Sequence, residues 1–416
     1  MKNVFLKFVH VSFASILLFG LTALPCQSQS ATEEAKEPKQ EKIRLVHAEQ
    51  LTQDVINGIT VRRLTGNVRF VQGQATLTCD RAVEYVDEER VVLFGRVKIV
   101  DEGKQLTADR INYYESTRKA IAEGRVTFVD STKTLRSNFL NYDREKEKAF
   151  ASGNVTLDDN RENTTLSGDS VLYLRDKGYA RVMGHPRFVR LDSTESRKLT
   201  ITGRTMEMFD DGERVKVSQD VTITRGNVVA HSGELEFYRD EEKIILSITP
   251  RAKREDDYLT GTNIEMVLKD NEIEKIHVLK NAIITSRVDT LKDGELRYDL
   301  LTGEDITVSV RGEQVDTVIV RGRATSYYHL FEDGVEKGLN KVLGDEIRML
   351  FTDGELKRVI VKSDPSTSAG TFYPPKSKAM IEKELDELLA KIGIVNARKD
   401  RQPTPEAEQK ISSDKS

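Results

Sequence analysis

The side chains able to do chemistry are spread thinly through this chain. His47, His185, His231, His277 and His329 are scattered, and no His-Glu-x-x-His pair exists to hold zinc. Gly103-Lys104 lacks the earlier glycine of a phosphate-binding loop and is followed by Gln105 rather than a hydroxyl residue. The stretch "DDNRENTTLSGD" at 158–169 has oxygen donors at calcium-loop spacing, but Asn163 holds the sixth position, where the sharp turn needs glycine. Carboxylates are plentiful, and no two are singled out as an acid–base pair. The cysteines are Cys26 and Cys79, and no neighbouring histidine pattern supports a nucleophile. The reading is therefore non-enzymatic, with no metal and no cofactor.

What would position side chains here is strands. The run from about 43 to 368 has frequent turn signals and no long helical pattern. Gly66, Gly95, Gly124 and Gly153 are each 29 residues apart, and Gly184 follows after 31. Leu77, Leu106, Leu135 and Leu166 move in step, opening "LTCDRAVEY", "LTADRINYY", "LRSNFLNY" and "LSGDSVLY". Two markers at one period define a repeat, with roughly nine or ten units along the chain. Each unit reads as two strands, the first Gly-x-Val-x-apolar and the second Leu-x-x-Asp followed by apolar residues and tyrosine. Charged clusters at 87–90, 115–119 and 143–148 read as hairpin turns. The glycine just before the first strand suits a bulge or a positive φ. Alternation along the strands buries one face only, so units must stack and bury that face against an opposite sheet. The expected fold is all-β: elongated, double-layered, with an apolar seam along the stacking axis. A hydrophobic fraction of 38% and the absence of tryptophan fit a thin core.

The ends read differently. Lys2 and Lys7, then the apolar run Phe8 to Leu24, form a signal-peptide layout over 1–30, with cleavage near Ser28 or Ser30. Two alternatives stay open: lipidation at Cys26, which Pro25 disfavours, and retention of the run as a membrane anchor. Cleavage would leave Cys79 alone and no internal disulfide. Residues 31–42 read as a flexible lead-in and 395–416 as a disordered tail. Between them, 376–394 places Ile381, Leu385, Leu388, Leu389 and Ile392 at helical spacing after Pro374-Pro375. That amphipathic helix is expected to cover a sheet edge or one mouth of a groove. The balance of 64 Lys+Arg against 68 Asp+Glu argues against a nucleic-acid partner.

Gly-x-Val-x-apolar followed by Leu-x-Ala/Cys-Asp-Arg and tyrosine, best seen in "LTADRINYYESTRKAIAEGRVTF" at 106–128, resembles the OstA-like/LptA family of lipopolysaccharide transport. The likeness is close over 60–230 and loose over 230–365; Asn138 replaces the aspartate in the third unit, and Thr205 or a neighbour occupies that position later. The resemblance implies a twisted open β-jellyroll over 43–230 and a second, diverged OstA-like region over 231–368. It implies a periplasmic, non-enzymatic bridge whose groove carries the acyl chains of lipopolysaccharide or a related glycolipid. Partners would be related bridge proteins and the outer-membrane translocon, joined by head-to-tail strand pairing, or further copies of the chain. Groove residues would be Val68, Phe70, Val97, Ile99, Val126, Phe128, Val155, Leu157, Phe188, Val221 and Ile223. Asp80, Asp109 and Asp169 read as turn or strand-end hydrogen-bonding groups rather than ligands. Two rival readings stand beside this one: a lipid-free structural or adhesive β-solenoid, and a carbohydrate-active β-repeat enzyme.

Overall fold

The structure, a computed structural model, describes residues 43–393 except 102, 118, 144, 162, 192–197, 270–271, 289–296, 312–313, 333–334, 354, 365–367 and 378. The expected signal peptide, lead-in and tail lie outside the described residues. Among the described residues, one compact unit holds 43–226 and 233–241, and another holds 227–232 and 242–393.

The fold is all-β with one C-terminal helix. The first unit's strands are β1 (Arg44–His47), β2 (Gln50–Ile56), β3 (Ile59–Gln72), β4 (Ala75–Tyr85), β5 (Arg90–Asp101), β6 (Lys104–Tyr114), β7 (Lys119–Asp130) and β8 (Lys133–Asp143). They continue as β9 (Lys148–Asp159), β10 (Thr164–Leu174), β11 (Tyr179–Met183), β12 (Arg187–Arg190), β13 (Leu199–Thr202), β14 (Thr205–Phe209) and β15 (Arg214–Arg225). The unit boundary falls within β16 (Val228–Tyr238). The second unit continues with β17 (Lys243–Ser247), β18 (Arg251–Arg254), β19 (Asp257–Thr260), β20 (Asn263–Lys269), β21 (Glu272–Arg287) and β22 (Tyr298–Arg311). It closes with β23 (Gln314–Glu332), β24 (Val335–Thr352), β25 (Glu355–Lys362), β26 (Ala369–Tyr373) and helix α1 (Ala379–Lys391).

From β3 to β10 every strand pairs antiparallel with the next, so each 29-residue repeat supplies two strands. Each strand bends at its middle, and its two halves belong to two layers. Leu64, Leu93, Ile111 and Leu140 before or after the bend pack in one core with Val68, Val97 and Val126 beyond it. Burial of this face against itself is the dominant favourable term, and it gives the jellyroll its single seam.

The second unit adds a third layer. α1 packs Ile381, Leu385, Leu389 and Ile392 against Ile283, Tyr298, Leu300, Tyr327 and Leu339. Those strand residues alternate with Ile284, Leu301 and Ser326, so they point to the opposite face of the sheet. The helix therefore covers the outer face of β21–β24, not the edge or groove mouth that its apolar stripe suggested. Tyr327 Oη donates to Glu384 Oε1 at 2.7 Å and Lys341 Nζ donates to the same carboxylate at 2.8 Å, anchoring the helix.

Candidate functional site

The repeat's chemistry-bearing residues build corners. Gly124 (φ 75°) and Arg125 (φ 45°) both take the left-handed conformation. They form a bulge in which two residues face the single Asn138 of β8. Gly95-Arg96 likewise faces Asp109, and Gly66-Asn67 faces Asp80. Each aspartate then seats on the glycine of the following strand: a Cβ at Gly124 would lie 2.5 Å from Asp109 Oδ2. Arg125 Nε donates to Asp109 at 3.0 Å, and Arg96 Nη2 to Asp80 at 2.6 Å. These guanidinium hydrogen bonds hold both carboxyls below the usual aspartate range.

This corrects two expectations. The glycine does not precede the strand but sits inside it, since β7 starts at Lys119. The aspartates are mid-strand corner groups rather than strand ends. Asn138 keeps the role of its missing aspartate, packing over Gly153, and Asp169 faces His185 at 3.5 Å. Of Thr205 and its neighbours, Arg204 holds that position, and its Nε donates to Asp220 at 2.9 Å. There the charges have swapped strands, and Gln219-Asp220 supplies the positive φ without glycine.

Beyond the corners, inner-face residues align across strands. Val68, Val97, Val126, Val155 and Val221 take the first inner position and are at most 1% exposed. Phe70, Ile99, Phe128, Leu157, Phe188 and Ile223 take the second. Leu77, Leu106, Leu135, Leu166 and Ile201 alternate with them, completing one apolar row of direct cross-strand neighbours from β3 to β15. Sequence reasoning used those leucines only as phase marks, although their strict spacing announced the row. The opposite layer carries a matching inner row whose outermost members are Val91, Tyr113, Ala120, Tyr142, Ala149, Tyr173, Ala180, Met208 and Val215.

The two rows lose burial over overlapping strands, the first from β5 to β9 and the second from β6 to β11. Phe70 and Leu77 are 1% and 3% exposed at one end, and Phe188, Ile201 and Ile223 are 3%, 1% and 2% at the other. Between them Ile99, Leu106, Phe128, Leu135 and Leu157 are only half-buried. On the facing lip Val91, Met208 and Val215 are buried, whereas Tyr113, Ala120, Ala149, Tyr173 and Ala180 are half-buried and Tyr142 is exposed. The result is a bounded apolar window open in both rows from β6 to β9, closed by the buried Val91 of β5 and Leu166 of β10. Tyr113 Oη donates to Gln72 Oε1 at 3.0 Å, tying the two layers together at its β3 end. Cys79 lies in the core behind it; burial pushes its thiol up to about 11, so it stays a protonated, unreactive hydrophobe.

In the second unit the corresponding inner positions are Ile284, Leu301, Ser326 and Val342. Ile284, Leu301 and Ser326 are buried. Nearby, Asp299 Oδ1 accepts from the His329 backbone N–H at 2.8 Å and lies 2.9 Å from His329 Nδ1. Burial raises the Asp299 carboxyl, with His329 opposing that shift. Among the described residues no group of three His, Cys, Asp or Glu side chains is placed to hold a metal ion. No helix among them is long and apolar enough to cross a membrane.

Two family models match the chain. One, described as OstA-like protein, covers residues 40–190, and the other, LptA/(LptD N-terminal domain) LPS transport protein, covers 134–272. No curated protein matches. Among solved structures, the chain is similar to the crystal structure of LptH, the LptA-homologous periplasmic component of the lipopolysaccharide transport device from Pseudomonas aeruginosa. That likeness is 13% identity over 28% of this chain and 82% of LptH, with a TM-score of 0.25.

Proposed function

We propose, for a chain that belongs to the OstA-like/LptA family, that it is a periplasmic carrier of lipopolysaccharide or a related glycolipid. The acyl chains of the cargo lie in the window over β6 to β9. The observation that carries this reading is the shared loss of burial of two facing apolar rows on β6 to β9. An apolar strip left half-open by its own fold is stabilised by covering it with hydrocarbon, at about 0.8 kcal/mol per buried CH₂. Moving a lipid between two such grooves is nearly isoenergetic, so a relay of like proteins removes the barrier of crossing water.

Strand edges support the relay. β2 pairs only with β3 among the described residues and is exposed along its whole length, including Leu51 and Val55 at 51% and 70%. In the second unit, β25 and β26 pair only with β24 among the described residues. Unpaired edges are liabilities in isolation and docking sites for a further strand. Related bridge proteins, the outer-membrane translocon or further copies of this chain would pair there.

In-cell photo-crosslinking tests the reading. A photoreactive residue at Phe128 is expected to give lipopolysaccharide adducts, and one at Thr127, on the outer face, is expected to give none. Arg125 is unsuited as the control because it belongs to the corner. A folded, exported protein with no adduct at 106, 128 or 135 would overturn the carrier role and favour the lipid-free solenoid.

A further inference from the structure

The lip of the window is not uniform. Along it the side chains run Tyr113, Ala120, Tyr142, Ala149, Tyr173 and Ala180, one per strand from β6 to β11. Ala180 is half-buried too, but the facing row is closed at that end by Leu166 and Phe188, so only Ala120 and Ala149 open onto the window. Large and small residues alternate with the strand spacing, so each of these two alanines leaves a gap one strand wide between two rings. Two strand spacings separate the gaps, about 9.6 Å. Tyrosine suits the walls of such a gap, because its ring is apolar and its hydroxyl can stay in water; Tyr142 is 39% exposed.

The floor of each gap is also small. Two residues on, at the next inner position, stand Ala122 and Ala151, followed by the corner glycines Gly124 and Gly153. These deeper alanines are 1% and 3% exposed, so the facing layer fills the space over them. Ala120 and Ala149 are only half-buried, so the chain does not fill the space over them. Ordinary interdigitation explains the deeper pair and leaves the lip pair unexplained. β5 carries Val91 and Leu93 at the equivalent places, both buried, and forms no such gap.

We infer that Ala120 and Ala149 are two notches in the tyrosine lip, each admitting one alkyl chain, so that the cargo is held with at least two acyl chains abreast. This rests on the carrier reading and adds a requirement to it: the window selects lipids by chain number. Tyr142 is the partition between the notches. A single-chain amphiphile fills one notch at a time, and a multi-acyl glycolipid bridges both.

The test uses the purified full chain with two probes, a single-chain fatty acid and purified lipid A, and circular dichroism melts on every variant. Wild type is expected to bind two fatty-acid molecules. Ala120→Leu and Ala149→Leu should each bind one and weaken lipid A at least tenfold, and the double variant should bind neither probe. Tyr142→Ala, which removes the partition without closing either notch, should keep lipid A binding. Ala120→Ser and Ala149→Ser, which barely change volume, should keep two fatty-acid sites. If a leucine variant melts early, Ala→Val at the same position is read against Ala→Ser. Binding of lipid A by the double leucine variant within twofold of wild type would overturn the notches and leave the carrier reading standing. Failure of wild type to bind either probe would remove both.

Discussion

Phe128 and Ser326 occupy the same place in the repeat, three residues beyond the Arg of a Gly-Arg corner on the inner face, yet their surroundings are opposite. Phe128 is half-buried at the open window of the first unit, and Ser326 is 4% exposed inside the second. The outer faces differ as well. β7 shows Arg125 and Thr127 outward, whereas β22 and β23 turn Leu300 and Tyr327 outward, under α1. A sheet with one wet face reads as alternating residues; a sheet covered on both faces reads as continuous burial. Residues 298–301 and 324–327 are buried without a break. The same repeat thus builds a half-open trough where nothing covers it and a closed three-layer body where a helix does.

The largest expected contrast is in lipid contact. Photoreactive residues at Phe128 and Ser326 should give a strong adduct and none, respectively; equal labelling would merge the two units into one kind of groove. Stability comes next. Leu385→Ala, in the buried α1 interface, should cost about 2–5 kcal/mol in urea unfolding. Leu135→Ala, half-buried at the window, should cost roughly 1 kcal/mol. Equal losses would show that the window is as closed as the helix interface.

Corners give a smaller, signed contrast. Gly124→Ala puts a Cβ against Asp109 at a positive φ and should destabilise by about 1–3 kcal/mol. In the second unit Lys280 holds the glycine place at φ 56°, so Lys280→Gly should be neutral or stabilise by up to about 1 kcal/mol. Loss of stability in Lys280→Gly would mean that this corner needs its side chain. The smallest effect is with pH. Arg125 holds the Asp109 carboxyl below its ordinary value, so the pair's contribution is present above about pH 3.9 and is lost as pH falls through the lowered folded value. Arg125→Met should flatten that acid dependence in thermal melts; an unchanged slope would leave the exposed pair without energetic weight.

Much of the first unit was legible. The 29-residue spacing of Gly95, Gly124 and Gly153 marks a real bulge, and the residue two after each glycine, Val97, Val126 and Val155, falls on the buried face. Glycine announces positive φ locally, and period-2 alternation then sets the face. The aspartates were harder. Nothing in Leu-x-x-Asp says that Asp109 will meet Gly124, because that contact exists only once two strands pair in register. The swapped corner of Arg204 and Asp220 was invisible for the same reason. α1 was legible as a helix and not in its destination.

The sequence by itself determined the strand count per repeat, the bends that a glycine marks and which side chains turn inward, since all three follow from local sterics and the alternation of the chain. The tertiary structure decided what covers each face. It sent Leu385 and Leu389 to the outer side of β22 and β23, paired Tyr113 with Gln72 across the layers, and left Phe128 half-open between them. Apolar burial is non-directional: an inward side chain specifies a need for cover, and only the packing of residues distant in sequence supplies it, or leaves it to a ligand.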